Sequence, residues 1–578
     1  MSKLLNGNIR QLNMGEVQGT LYNSFNLDLS YQKGKISLAP RTRITTNTVT
    51  DLDVSVGFVY FDGFWWTVSG SYVWKATNPQ GAFAKDASNS GPFSTPSDCD
   101  SRYSDIRVFN NVLVVSTQSR IYRKAANGLG TGGWDTIDTG LSNTIVRPLA
   151  VYNSRLYWTR TDNTIVSCDT AYTISDTSSS AFNFTFPVSY KVTFIKPTST
   201  GLFVGIITTD GTEGFVIDWN AETKNTFRYR HNVYAQGALA AYVDNSFAYV
   251  MNSNAEVLQF NGSGFTKIQT LPVRRNALYN ANATGSSGND RFIHPNGMTL
   301  IDGRLSMLVN ARNNDAMQTQ EENLHSGIWE YLPDTGSLYH KYSMSYNTIA
   351  GTQYDNGQII LKGVGGLTNT PDLSSYSDAQ KGNFLCGASF YSDATTVGYG
   401  IFTDNYYDNE QKAGFFSTVQ IRAQHFADMW NRITTLYTPT AGMSMVWKYR
   451  TTRTPHTDFA VTWSSDTTFT TTQAGIEVGD EITIIQGKGS GRIAHVSSIS
   501  FLAGTYTVVL DETVINVSGT AKARLQKWKK IGIITNIAKF FQETVISQPS
   551  TLIELKAAVV ATGETTIDEL ILDNKQNQ

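Results

Sequence analysis

The sequence predicts an all-β chain, and three observations carry that reading. First, aromatic residues make up 12% of the 578 residues, with 28 Tyr, 29 Phe and 11 Trp. Aromatic and β-branched side chains favour strands, while the abundant Asn, Asp, Gly and Ser suit tight turns between them. Second, long stretches with apolar residues at helical spacing are almost absent, so no amphipathic helix competes. Third, one phrase recurs: VYFDGFWW at 59–66, VFNNVLVV at 108–115, VYNSRLYW at 151–158, YVDNSFAYV at 242–250 and LIDGRLSML at 300–308. Each is an apolar run broken by a two-residue corner.

The corners are Asp62-Gly63, Asn110-Asn111, Asn153-Ser154, Asp244-Asn245 and Asp302-Gly303. A further corner, Ser199-Thr200-Gly201, divides the one long gap, and Asp355-Asn356-Gly357 follows the last, giving seven corners spaced 43 to 58 residues apart. Asp and Asn suit such corners because they tolerate left-handed backbone and bond their own chain. After six of these corners comes a second apolar phrase, centred on Val73, Ile121, Ile165, Val216, Val257 and Ile328. The last is displaced by a polar insertion, NARNNDAMQTQEENLH at 310–325.

Four strands per period of this length is the arithmetic of a β-propeller blade, and blades must stack around an axis because none buries both faces alone. The spacing therefore predicts a β-propeller of about seven blades over 45–415, preceded by an N-terminal arm and first strands over 1–44. Within it, Trp65-Trp66 is expected between blades. The competing architecture is a series of sandwiches whose turns are spaced by chance.

From about Ser417 the period breaks. Strands are expected at Ile433–Tyr437, at Ser444–Arg450 and in the closing LIELKAAVV and IDELIL, which together suggest an antiparallel sandwich. KIGIITNIAKFF could form a strand or a short helix. Clean alternation through DEITIIQG, RIAHVSSIS and TYTVVLDE predicts a small β-domain inserted into that sandwich. The expected divisions are 416–469 for the first half of the sandwich, 470–522 for the insertion and 523–578 for the second half.

The balance of charge excludes little. Lys and Arg number 46 against 48 Asp and Glu, a net charge of −2, so no overall field draws the chain to nucleic acid. Cys99, Cys168 and Cys386 are odd in number and far apart, which fits small buried residues better than a disulfide framework. The start, MSKLLNGNIRQLNMGEV, lacks the apolar core of a secretory signal. No stretch approaches the roughly 20 apolar residues that span a bilayer.

Catalytic patterns are not found. The seven histidines include no HxxxH or HExxH pair for zinc, and no GxSxG elbow is present. GKGSGR at 487–492 lacks both the phosphate-loop spacing and a following helix. The acidic pair Glu321-Glu322 and the cluster Asp404, Asp408, Glu410 read as solvated loop charge, with calcium the alternative for the cluster. No catalytic residue, metal ligand or cofactor is assigned. Two stretches are candidates for contact with a partner. The basic run holding Lys522, Arg524, Lys527, Lys529 and Lys530 reads either as contact with DNA or a neighbouring subunit, or as a lysine-protected strand edge. Tyr406 and Tyr407 read as surface aromatics able to stack on a sugar or fill an interface.

The phrases VGDEITIIQGKGSGRIAHVSSI and TYTVVLDE resemble a module of tail proteins from tailed bacteriophages. MVWKYR and LIELKAAVVATGETTIDELIL are similar to the C-terminal sandwich of those proteins, which also follows a propeller-like region. The likeness covers 417–578 in sequence and 50–415 in architecture. It implies a structural, non-enzymatic protein of the distal tail (nozzle, tail tip or fibre), made in the host cytoplasm and located in the virion. The implied partners are copies of itself in a symmetric ring, other tail proteins, a host-surface glycan or receptor, and DNA only in transit. The alternatives are a glycan-binding receptor-recognition fibre and a propeller glycoside hydrolase.

Overall fold

The computed structural model describes residues 2–3, 21–25, 27–28, 36–40, 42–47, 52–86, 104–125, 134–139, 141, 146–161, 163–175, 180–208, 213–244, 247–271, 292–311, 326–333, 336–342, 344, 360–371, 373–391, 397–404, 412–418, 421–422, 428–440, 442–451, 457–486, 493–511, 519–535, 541–549, 552–561 and 565–576. They form an all-β chain whose one helical element is a single short turn at Asp378–Gln380.

Seven small antiparallel sheets follow one another between Ser55 and Asp404. Sheets 1 to 6 begin with the strands Ser55–Phe61, Asp105–Phe109, Ala150–Tyr152, Tyr190–Pro197, Ala238–Asp244 and Met298–Ile301. Sheet 7 is built from Ile360–Asn369, Phe384–Tyr391 and Val397–Asp404. Its fourth strand comes from the other end of the chain: Thr42–Asn47 pairs with Val397–Asp404, from Asp404↔Thr42 to Gly400↔Asn47.

The corners have the backbone that their residues favour. Asp62, Gly63, Asn110, Asn111, Asn153, Ser154, Asp302 and Gly303 all have positive φ, the primed hairpin turn that matches strand twist. Each joins the first and second strands of its sheet. The Ser199-Thr200-Gly201 corner also joins strands one and two but closes differently, with the Thr198 amide donating to the Gly201 carbonyl. The Asp244-Asn245 corner lies only partly within the described residues, and Asp355-Asn356-Gly357 lies outside them. Sheet 7 joins its first two strands through residues 370–383, and Asp355-Asn356-Gly357 precedes the first of these strands.

All six residues of the second phrase sit in the third strand of their sheets and are buried: Val73, Ile121, Ile165, Val216, Val257 and Ile328. The strands read as nearly continuous apolar runs because each sheet is covered on both faces. In the second strand of sheet 2, Leu113 and Val115 face sheet 1, while Val114 faces sheet 3. Adjacent tryptophans divide the same way. Trp66 enters the core between sheets 1 and 2, and Trp65 the core between sheets 7 and 1. Seven such cores link consecutive sheets, and the seventh returns to the first. The sheets therefore close a propeller-like ring.

The seam between sheets 7 and 1 depends on glycine. A Cβ on Gly365 would lie 2.1 Å from the Ser55 carbonyl oxygen, and one on Gly387 would lie 2.4 Å from the Ser55 side chain. The two backbones meet closely only because neither residue has a side chain.

The described residues form two further sheets. One combines Leu27–Asp28, Ile36–Leu38, Asp428–Thr438, Phe541–Pro549 and Thr566–Gln576. It packs on a second sheet holding Leu21–Phe25, Lys412–Thr418, Ser444–Arg450 and Leu552–Ala561, around Leu27, Phe416, Ile433, Trp447, Leu555 and Ile567. The described residues of the expected N-terminal segment are thus woven into the sandwich and the ring. KIGIITNIAKFF contributes to strands Gly519–Ile534 and Phe541–Pro549 and forms no helix among its described residues.

The inserted unit is a closed six-stranded barrel. Its order is Gly519–Ile534, Thr457–Ser465, Thr468–Thr471, Thr505–Leu510, Ile493–Leu502 and Asp480–Gln486, which pairs back to the first strand. The barrel is wider than 470–522, since it recruits Thr457–Ser465. Its boundary with the sandwich also runs through a strand: Gly519–Leu525 pairs Thr457–Trp463, and beyond it Lys529–Ile534 pairs Met445–Tyr449. Ala521 and Ala523 face the barrel core beside Phe459, Trp463 and Phe469, so small side chains from the long strand leave room for the aromatics.

Candidate functional site

The basic run lies on the long strand Gly519–Ile534, which has partners on both sides and is not an edge. Most of its charge is met within the barrel. Arg524 Nε lies 2.7 Å from Asp458, Lys527 2.8 Å from Asp480, Lys529 2.7 Å from Glu477 and Lys530 3.1 Å from Asp511. Lys522 is half-buried on the same strand. Tyr406 and Tyr407 lie outside the described residues. So do Asp408 and Glu410, whereas Asp404 ends a strand and accepts from the Asn383 amide at 2.7 Å and its side chain at 2.6 Å. Cys168 and Cys386 are buried; burial pushes the Cys168 thiol up to about 12 and the Cys386 thiol up as well. Cys99 lies outside the described residues.

Two buried charge clusters join the parts of the molecule. Between sandwich and barrel, Glu481 meets Lys448 at 2.5 Å and Lys556 at 2.7 Å, all three buried. Burial alone would raise the Glu481 carboxyl, but the two ammonium groups outweigh it and hold it well below the usual range. Burial pushes Lys556 down to about 8, against the pull of Glu481. Between ring and sandwich, Glu330 accepts from Lys341 at 3.0 Å and Tyr339 at 2.5 Å, while Lys341 lies 3.6 Å from Asp28. Tyr339 belongs to the sandwich core although its strand is the fourth of sheet 6. That outer strand is buried throughout because the sandwich covers it.

A third cluster lies in the ring. Asn296, just before the first strand of sheet 6, bonds four other sheets. Its side-chain amide donates to the Val56 carbonyl of sheet 1 and to Asp105 of sheet 2, each at 2.9 Å. Its side-chain oxygen accepts from Arg107 of sheet 2 at 3.0 Å and from Lys196 of sheet 4 at 2.8 Å. Its backbone carbonyl accepts from the Leu367 amide of sheet 7 at 2.9 Å. A residue that reaches the innermost strands on several sides of a ring stands at its axis. Burial pushes Lys196 down to about 7, with Arg107 adding to the effect and Asp105 opposing it. Sequence reading missed this cluster. The available signal was a cation flanked by apolar residues in an inner strand, as in VTFIKP and DIRVF.

No protein-family model matches the chain, and no curated protein does. Among solved structures it is similar to the extracellular domain of a hybrid two-component system from B. thetaiotaomicron, at 11% identity and TM-score 0.38, covering 70% of this chain and 44% of that one. It is also similar to the WD40 domain of Neurospora crassa Pan2, at 8% identity and TM-score 0.37, covering 64% and 96%. A computationally designed protein, Ika8, matches at 9% identity and TM-score 0.32, covering 62% and 99%. The chain thus spans less than half of the first.

Proposed function

We propose that this chain is a structural subunit of a tailed-bacteriophage distal tail: a seven-bladed β-propeller, closed by its own N-terminal strand, that assembles by subunit contact through its sandwich and barrel. The observation that carries the reading is the barrel hairpin Ile493–Leu502 to Thr505–Leu510. From Val496 to Leu510 it holds no charged residue, and its tip exposes Phe501 by 60% and Leu502 by 81%. An uncharged hairpin with an apolar tip suits burial against a neighbour, where charge is costly to desolvate. The sequence resemblance over 417–578 supplies the virion context. The weave of N-terminal strands through sandwich and ring supports a single mechanical body.

The test is native mass spectrometry of the full chain with the double variant Phe501→Asp, Leu502→Asp. We expect wild-type oligomers, and a shift toward monomer in the variant without loss of thermal stability. A wild-type chain that stays monomeric at every concentration, and that cannot be located in particle density, overturns the reading.

A second reading, recognition of a host glycan, rests on a different surface. Tyr229 and Tyr234 are exposed by 63% and 71% on and just beyond the outer strand of sheet 4, where the Tyr229 ring lies beside His231. Exposed tyrosine rings suit stacking on sugars. Glycan-array binding that disappears with Tyr229→Ala and Tyr234→Ala would favour it; no binding by the wild type would remove it.

A further inference from the structure

We propose that the ring axis holds a binding site for a small, doubly charged oxyanion of the sulfate and phosphate class, formed by Lys196, Arg107 and the Asn296 side chain that aligns them. The proposal is independent of the virion reading and rests on how the cluster is assembled.

Lys196 and Arg107 both donate to one neutral oxygen, Asn296 Oδ1. The two cationic groups are therefore no further apart than those two bonds permit. An ammonium carries three donors, and Lys196 has no other hydrogen-bond partner among the described residues. Arg107 also donates to the Ile106 carbonyl at 2.8 Å and lies 3.2 Å from Asp105. Donors remain on both groups.

Among the described residues Asp105 is the carboxylate that acts on Lys196, and it is already engaged. Its Oδ1 accepts from the Ile106 amide at 2.8 Å and from Asn296 at 2.9 Å, and its Oδ2 accepts from the Leu149 amide at 2.9 Å. Two cations against one such carboxylate leave a surplus positive charge in a partly desolvated place. The lowered proton affinity of Lys196 comes first from its burial, and the neighbouring Arg107 adds to it. His294, behind Asn296, accepts from the Asn296 amide through Nδ1 at 3.1 Å. The site is reachable: the Arg107 side chain is 27% exposed, and Lys196 is half-buried.

A tetrahedral oxyanion answers each feature. It offers several acceptor oxygens to the unused donors and cancels the surplus charge, and a guanidinium paired with an ammonium is a common way of holding such a group. Bound anion also favours the protonated lysine, so affinity increases as pH falls through the Lys196 titration, around neutrality.

Sulfate is the better first probe because its charge is constant over that range. The full chain is melted at pH 6 and pH 8.5 with increasing sulfate, and with chloride at matched ionic strength. We expect a saturable rise in melting temperature on top of the general stabilisation by sulfate, with tighter binding at pH 6. Lys196→Met should weaken the saturable part by at least about tenfold, and Lys196→Arg should retain it while losing its dependence on pH. Inorganic phosphate should compete with sulfate. The same saturable rise in Lys196→Met, or none in the wild type, overturns the proposal. Should Lys196→Met fail to fold, lysine side-chain NMR of the wild type decides: no lysine signal moving with sulfate overturns it equally.

Discussion

Lys448 Nζ and Glu481 Oε2 lie 2.5 Å apart with almost no exposure of either side chain, tying a sandwich strand to a barrel strand. Lys556 reaches the other Glu481 oxygen at 2.7 Å, so one carboxylate balances two buried ammonium groups. Replacing it removes the carboxylate that both ammonium groups share. Glu481→Gln should cost about 3–5 kcal/mol in urea unfolding. Adding Lys448→Met should recover part of the loss; an equal or greater loss in the double variant would show that the charges are not coupled.

The same carboxylate predicts an acid transition. The folded chain holds Glu481 below its ordinary range, so its stabilising contribution is complete above the unfolded value of about 4.3 and is lost as pH falls below it. Stability measured between pH 5 and pH 3 should fall less steeply in Glu481→Gln than in the wild type. Parallel curves would rule out this carboxylate as a source of acid sensitivity.

The ring seam gives a steric prediction. Gly365→Ala places a methyl group 2.1 Å from a backbone oxygen of Ser55, which cannot rotate away. A loss of about 1–3 kcal/mol is expected from overpacking. Gly264 is a control, because a Cβ there meets nothing within 4 Å. Equal effects of the two alanine substitutions would contradict close packing of sheet 7 on sheet 1.

The corner at Asn153-Ser154 holds two non-glycine residues at φ of 46° and 57°. Left-handed backbone costs a residue with a Cβ about 1–2 kcal/mol, and glycine returns part of this through its freer unfolded chain. Ser154→Gly should therefore raise the melting temperature slightly, and Ser154→Val should lower it. The reverse order would mean that the Ser154 side chain stabilises the turn.

Cys168 and Cys386 should resist alkylation in the native chain and react once it is unfolded, as buried thiols with raised proton affinity do. Peptide mapping after brief iodoacetamide treatment checks this. Labelling of either residue before unfolding would show that its core opens.

Much of the ring was legible because its signals are local. Asp62, Asn110, Asn153 and Asp302 mark left-handed corners through their own backbone preferences, and Val73 through Ile328 mark third strands through composition alone. The sandwich strand Ser444–Arg450 was legible for the same reason. Three features were not, and each depends on residues distant in sequence. Thr42–Asn47 reads as any short strand, and only closure of the ring makes it the partner of Val397–Asp404. The strand Gly519–Ile534 carries five basic residues, yet its carboxylate partners Asp458, Glu477, Asp480 and Asp511 come from three other segments, so a run that suggests an open surface is largely neutralised within the barrel. Lys196, Arg107 and Asn296 follow no spacing rule at all. Sequence by itself determined many of the strand segments and the corners at Asp62, Asn110, Asn153, Ser199 and Asp302, since those choices depend on neighbours a few residues away. Tertiary structure decided which strands pair, which charges cancel and what meets at the axis, because long-range pairing and desolvation are properties of the closed ring and not of any segment within it.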